Sequence, residues 1–285
     1  MGNKVKSREI KIRDLTISND KPFTLIAGLN VLESKDLADE VIEECISVTK
    51  ELEIPFIFKS SFDKANRSSI ESYRGPGAVK GLEILADLKL KHKVPVLSDV
   101  HTQEQVEMST TVLDIIQIPA FLCRQTDLLS SVADTGLPMN IKKGQFLSPH
   151  EIENIVNKIL FFKNENILIC ERGTSFGYNN LVVDMVGISQ LKTYSFPVIF
   201  DVTHSLQQPG GLGDKSGGRR HHVLNLAKSA ISLGLAGLFV EVHPDPKNAK
   251  CDGPCALPLN LLKDFLMQLK KLDDLVKTLP HLEII

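Results

Sequence analysis

The sequence predicts a (β/α)8 barrel of the α/β class. Eight short, near-continuous apolar runs recur along the chain, each closing on a polar group, and helix-patterned stretches lie between them. In addition, Lys59, Lys142, Arg172 and His204 stand at the carboxyl ends of such runs. In a parallel α/β protein those ends converge on one face, where the loops build the site. Cations placed there in register point to an anion-binding pocket.

Taken in order, the first element is "EIKIRDLTI", where Ile10 and Ile12 alternate, Arg13-Asp14 break the pattern, and Leu15 and Ile17 resume it. This predicts a small hairpin sealing the bottom of the barrel. The eight predicted strands follow at residues 23–30, 56–62, 95–100, 115–121, 138–143, 167–173, 197–204 and 237–244. Ser34 caps a helix in which Leu37, Val41, Ile42, Cys45 and Val48 repeat at helical spacing. Ser148-Pro149 supplies a cap and an N1 proline for a later helix. Beyond Pro258, Leu262, Phe265, Leu266, Leu269 and Leu272 form another apolar stripe. No linker or charge block splits the 285 residues, so residues 1–285 are expected to form one barrel domain, with residues 1–20 as its hairpin extension.

A net charge of −2 gives the molecule no broad attraction to nucleic acid or to acidic membranes, so the positive site is local and its ligand small. The N-terminus lacks an apolar leader core, and the longest apolar run, near residues 230–240, is too short to span a bilayer. Lys6 stands where a myristoylation signal needs Ser or Thr. Five scattered cysteines argue against a disulfide framework, and the expectation is a cytoplasmic protein. Cys45 and Cys170 read as core thiols, while Cys251 and Cys255 lie four apart, wider than the usual paired zinc spacing.

After the second strand, "KSSFDKANRSS" gathers Lys59, Lys64, Asn66, Arg67, Ser68 and Ser69. The plainer alternative for it alone is a solvated loop, but Arg124, Lys142 and Arg172 at other strand ends make it part of a cluster. Burying an unpaired cation costs several kcal/mol, so such a cluster is wet or meets anions, and phosphates suit arginine and lysine together. The glycine-rich, basic loop 207–222 fails as a P-loop because Asp214 stands where glycine should precede Lys215-Ser216. It reads as a lid, as a phosphate contact at a helix start, or as a solvated loop.

His204, Glu241 and Asp252 form a plausible divalent-metal set, but the fourth position, Asn30, offers only a neutral amide. Without a metal the same groups can hydrogen-bond a water or a substrate hydroxyl. The plainer alternatives are a core histidine at His204 and a turn residue at Asp252 before Gly253-Pro254. Asp99 and His101 end the third strand within reach of the pocket, and Gln117 points inward from the fourth, unlike Asp114. His92, His150 and His281 are expected at the surface.

The segments "GLNVLES", "FKSSFDKANRSS", "SDVHT", "IIQIPAFLCRQTDL", "NIKKGQF", "ERGTSFGY", "FDVTHSLQ", "SGGRR" and "VEVHPDP…CDGP" together resemble the 3-deoxy-D-manno-octulosonate 8-phosphate synthases, from about residue 21 to 258. The resemblance implies condensation of phosphoenolpyruvate with D-arabinose 5-phosphate and water, giving an eight-carbon keto-acid phosphate and inorganic phosphate for lipopolysaccharide synthesis. It also implies a homotetrameric (β/α)8 barrel. Matched by motif, Lys64, Lys142 and Arg172 resemble residues that hold phosphoenolpyruvate, with Gln117 and Ala120 beside it. Asn66, Arg67 and Ser68 resemble the arabinose 5-phosphate motif, and Arg124 resembles a residue reaching a phosphate across a subunit boundary. Gln145 and Asp99 look like pocket-wall residues, and Lys59 like a further lysine of the site.

That family has a metal branch, with cysteine where this chain has Asn30, and a metal-independent branch, which Asn30 and "CDGP" resemble. No metal and no cofactor are therefore expected. Gly144 departs from the proline common in metal-independent members. The catalytic set implied is Asn30, Lys142, His204, Glu241 and Asp252, with Lys142 stabilising the developing alkoxide. Three rivals stand beside it: the seven-carbon synthase acting on erythrose 4-phosphate, whose lysine-proline-arginine-threonine motif differs from "KANRSS"; a Schiff-base aldolase through Lys59 or Lys142; and a non-catalytic phosphosugar-binding barrel.

Overall fold

In a computed structural model that describes residues 7–211, 216–280 and 282, eight parallel strands close into a barrel. They are β1 (Thr24–Gly28), β2 (Phe56–Lys59), β3 (Val96–Asp99), β4 (Ile115–Ile118), β5 (Met139–Lys142), β6 (Ile167–Glu171), β7 (Val198–Asp201) and β8 (Gly237–His243). Each pairs with its successor, and Gly237 to Glu241 of β8 pair with Thr24 to Gly28 of β1 to complete the ring. A Cβ on Gly28 would lie 2.0 Å from the Lys59 carbonyl oxygen, so glycine is what lets β1 end so close to β2.

Outside run α1 (Lys35–Glu51), α2 (Ala78–His92), α3 (Gln103–Ser109), α4 (Thr126–Asp134), α5 (Ile152–Phe161), α6 (Met185–Thr193), α7 (Val223–Ile231) and α8 (Leu262–Thr278). Ser34 accepts the Leu37 N–H at 3.1 Å and starts α1 as the sequence predicts. Ser148 and Glu151 form a capping box, but the first turn after it is a 3₁₀ helix, Pro149–Glu151, that leads into α5. Buried Asp273 of α8 accepts the Phe23 N–H at 3.0 Å and ties the last helix to the start of β1.

Strand alternation divides the apolar residues into two cores. Leu25, Ala27, Phe56 and Phe58 face the helices, whereas Ile26, Ile57, Leu97, Ile115, Leu168 and Ile199 face the barrel axis. Strands Ile10–Ile12 and Leu15–Ile17 form the expected hairpin, with Arg13 in the left-handed region at its turn. Ile10, Ile12 and Ile17 are buried in the axial core and floor the barrel.

Loop 207–222 has a short antiparallel base, Gln207–Gln208 against Gly217–Gly218, while Asp214 and Lys215 lie outside the described residues, as do Lys6 and His281. All five cysteines are buried and free. No helix among the described residues is long and apolar enough to cross a membrane. His150 is exposed as expected, but His92 is not a free surface residue. Its side chain is 8% exposed and lies 2.6 Å from Asp39, because α2 packs its last turn against α1.

Removing the hairpin's apolar side chains empties the barrel floor. Ile17→Ala is expected to lower stability by about 2–4 kcal/mol, read from the urea midpoint.

Candidate active site

Toward the carboxyl ends of the strands the axial residues change from apolar to charged. Two places beyond Ile57, Leu97, Ile115, Ile199 and Phe239 stand Lys59, Asp99, Gln117, Asp201 and Glu241, and two beyond Asn140 stands Lys142. Since residues i and i+2 share a face, each strand that contributes to the floor also contributes to the site. Above this layer lies a cavity of about 410 Å³. The β2α2 loop lines it with Lys64, Asn66, Arg67 and Ser68. Asp99 and His101 follow from β3, Gln117 and Ala120 from β4, Lys142 and Gln145 from β5, and Arg172 from β6, with His204 and Asp252 closing the ring.

Asp201, absent from the sequence-based candidates, is the hub on one side. It is fully buried, and its Oδ2 accepts both the Lys142 ammonium and His204 Nδ1, the latter at 2.8 Å. Its Oδ1 takes the His204 backbone N–H at 2.9 Å. Lys142 Nζ also lies 3.1 Å from the centroid of the Phe239 ring, a favourable place for a cation. Burial pushes the Asp201 carboxyl up, but His204, Lys142 and Arg172 outweigh it and hold it far below the usual range.

Glu241 is the hub on the other side. Lys59 Nζ donates to its Oε1 at 2.9 Å, the Asn30 amide donates to its Oε2, and its own backbone N–H reaches Thr203 Oγ1 at 2.9 Å. The same Asn30 nitrogen donates to Asp252 Oδ2 at 2.8 Å. Asp252 holds a left-handed φ of 49°, rare outside glycine and tolerated by aspartate, which turns its carboxylate toward Asn30. Burial raises the Glu241 carboxyl, but the charges of His204, Lys59 and Lys64 lower it to about 2. His204, Glu241 and Asp252 each offer a ligand atom within 4.8 Å of the others. Between the two carboxylates, however, sits the Asn30 NH2, a double donor with no lone pair for a metal.

The cations around the cavity are incompletely satisfied by protein. Arg172 Nη2 bonds Gln207 Oε1 at 2.6 Å, while its buried Nη1 has no partner. Arg67 Nη1 contacts the Cys251 sulfur and its Nε has none, nor does Gln145 Oε1. Burial pulls the Lys64 ammonium down, but Asp99, Glu241 and Asp252 outweigh that and raise it above its ordinary value. Open donors on fixed cations are what a phosphate or carboxylate binds.

Four expected residues are not on the cavity wall: Asn30 and Glu241 belong to the network beneath it, and Lys59 and Arg124 are off the wall as well. Lys59 is 1% exposed and does not line the cavity, because the Leu29 and Asn30 carbonyls and Glu241 take its donors. Arg124 is exposed in the turn after the 3₁₀ helix Ala120–Leu122 and is not part of the cavity wall. Lys143, beside Lys142 in sequence, faces away from the axis and bonds Leu147 O and Thr174 Oγ1, each at 3.1 Å. Asp201 had a signal in the sequence: it lies two residues beyond axial Ile199 and three before His204.

The model of the DAHP synthetase I family matches residues 4–278. The chain belongs to that family. It is 58% identical to the 2-dehydro-3-deoxyphosphooctonate aldolase of Pseudomonas entomophila (strain L48), over 96% of this chain and 98% of that one. Proteins of the same name from Hahella chejuensis (strain KCTC 2396) and Shewanella amazonensis (strain ATCC BAA-1098 / SB2B) are 55% and 56% identical. The match covers 98% of this chain and 99% of the first, and 97% of this chain and 98% of the second.

In this DAHP synthetase I family barrel the Glu241 hub carries stability as well as geometry. Its folded pKa of about 2 lies below the ordinary 4.5, so its contribution is complete above pH 4.5 and is lost as pH falls toward 2. Glu241→Gln, which leaves Lys59 buried without a counter-charge, is expected to cost about 3–5 kcal/mol at pH 7. That penalty should shrink between pH 4.5 and 2, as urea midpoints of both proteins across the range would report.

Proposed function

We propose that the chain is a 3-deoxy-D-manno-octulosonate 8-phosphate synthase. It joins phosphoenolpyruvate to D-arabinose 5-phosphate with uptake of water and release of inorganic phosphate. The observation that carries this reading is one cavity in which Lys64, Lys142 and Arg172 meet the Asn66-Arg67-Ser68 loop, with open donors on Arg172 and Arg67. The name shared by the relatives at 55–58% identity supports it. "KANRSS" separates it from the seven-carbon synthase. Lys142 and Lys59 are ion-paired with Asp201 and Glu241, contacts that engage the nitrogen a Schiff-base aldolase keeps open to its substrate.

In the reaction, Lys64, Lys142 and Arg172 hold the carboxylate and phosphate of phosphoenolpyruvate, with Gln117, Ala120 and Gln145 along its wall. Asn66, Arg67 and Ser68 take the sugar phosphate. The C3 carbon attacks the aldehyde carbon, and Lys142 stabilises the alkoxide that forms there. C2 gains positive character and binds water, whose proton passes to His204 Nε2, the ring nitrogen left over when Asp201 takes Nδ1. Asp252 and Asn30 align that water. The C2 hydroxyl then loses its proton as the carbon–oxygen bond breaks, and phosphate leaves with the electron pair. C2 becomes the ketone, and the alkoxide takes up a proton to become a sugar hydroxyl.

The reading includes the metal-independent branch. Lys59 supplies charge to Glu241, and Asn30 donates to both Glu241 and Asp252, the carboxylates that with His204 would hold a divalent cation. Gly144, the departure from that branch, concerns packing: a Cβ there would meet the Phe146 ring at 2.8 Å, and it supplies no ligand. The reading also takes residues 1–285 as one domain, cytoplasmic in keeping with five free cysteines, and acting as a homotetramer. Exposed Phe121, Phe146, Phe176 and Tyr178 on the site-side loops suit such contacts, with exposed Arg124 reaching a neighbour's sugar phosphate.

Chelator-treated protein given both substrates should release phosphate in step with an eight-carbon product. Activity that returns only with added metal would overturn the metal-free branch, and no product under either condition would overturn the function. Lys142→Ala is expected to lower kcat by about 10²-fold or more, measured as phosphate release. Asn30→Cys should bind a divalent transition metal through the thiolate, His204, Glu241 and Asp252, and elemental analysis of the purified variant checks it.

A further inference from the structure

His101 lines the cavity, yet neither of its ring nitrogens points an open donor or acceptor into it. Nδ1 lies 3.0 Å from Gln105 Oε1, and Nε2 lies 3.3 Å from Asp99 Oδ2. The identity of the Gln105 atom is fixed independently, because the His101 backbone N–H donates to it at 2.8 Å and only an oxygen can accept. That contact arises from helix capping. Thr102 caps α3 by accepting the Gln105 N–H at 3.3 Å, and the Gln105 side chain reaches back over the cap. Nδ1 therefore faces an oxygen that only accepts, and Nε2 stands at ion-pair distance from a carboxylate, a setting that favours a proton on each.

Asp99 is the group this matters to. Its Oδ1 accepts the Ser61 hydroxyl, and its charge acts on Lys64, which lines the same cavity. An unneutralised carboxylate here would compete with substrate for the Lys64 ammonium and repel the anion. We propose that His101 is a positioning residue, a fixed imidazolium that neutralises Asp99 and so leaves the Lys64 charge for the phosphoenolpyruvate anion, with Gln105 holding the ring in that state. The proposal rests on the function proposed above.

The charged groups around the ring are consistent with it. Asp99 faces it from β3, and Asp63 adds negative charge from the β2α2 loop although Arg74 holds it at 2.7 Å. Lys64, from the same loop, acts on Asp99. Burial lowers the basicity of His101, but Asp99, Gln105 and Asp63 outweigh burial and raise it above the ordinary 6.5. The imidazolium is present below the raised value and is lost as pH rises through it. Substrate binding should weaken in that window while turnover at saturation holds.

Two measurements test this on the intact protein. Ring nitrogen shifts of isotopically labelled histidine, assigned by the signal lost in His101→Gln, should show both nitrogens protonated at pH 6.5. In Gln105→Met the ring should titrate lower, and above neutral pH the KM for phosphoenolpyruvate should exceed that of the wild type by about three- to tenfold, the scale of one lost hydrogen bond. The kcat should change little. Gln105→Glu, which keeps an acceptor in place, should restore the wild-type KM profile, as a cap defect in α3 alone would not. A neutral ring at pH 6.5, or superimposable KM profiles for wild type and Gln105→Met, overturns the proposal. If the wild type turned over neither substrate, the functional reading would fail, and the ring spectra would still decide whether His101 is the cation.

Discussion

Glu241 has no exposed surface, and the arrangement above the barrel floor depends on how its charge is met. Leaving a buried charge unpaired costs about 3–5 kcal/mol, a large part of the about 5–15 kcal/mol that separates folded from unfolded protein. Lys59 and Asn30 meet it from β1 and β2, and in doing so fix the end of β1 against the loop that carries Asp252. A group that looks available for chemistry, the Lys59 ammonium, is thereby spent on architecture. Lys64, from the loop above, and Lys142, in the same layer, keep a side toward the cavity.

Asp201 repeats the principle across the barrel. One carboxylate oxygen serves Lys142 and His204, so the residue proposed to steady the alkoxide and the residue proposed to take the water's proton share a support. Moving either alters the field at the other, which makes their effects on catalysis non-additive. The hydrogen bond at Nδ1 also settles which imidazole nitrogen looks toward Glu241 and Asp252, at 3.5 and 3.7 Å.

Much of this was legible in the sequence because a barrel strand carries its own register. A near-continuous apolar run that closes on a polar group marks the carboxyl end of a strand, and so Lys142, Gln117 and Arg172 are assigned to the site face from the sequence alone. The floor hairpin was equally plain from Ile10, Ile12 and Ile17. Asp201 is hidden inside the run "VIFDVTH", whose closing polar group is His204. The strand in fact ends at Asp201, and His204 opens a 3₁₀ turn. The supporting place of Lys59 is hidden for a different reason: its donors are taken by carbonyls of Leu29 and Asn30, and no residue pattern records where a backbone turns after a strand. The Gln105 contact to His101 was likewise hidden, since a capping pattern announces a helix start and not a protonation state.

The hairpin that floors the barrel has a consequence for the nascent chain. Ile10, Ile12 and Ile17 leave the ribosome early, yet the core that receives them includes Phe239 of β8, and the ring itself closes only when β8 meets β1. Translation thus delivers this plug long before its socket exists. During that interval the three isoleucines lack part of the core that buries them, a transiently exposed apolar surface of the kind that favours aggregation. Domain-length synthesis, rather than the chemistry of the site, sets how long that exposure lasts.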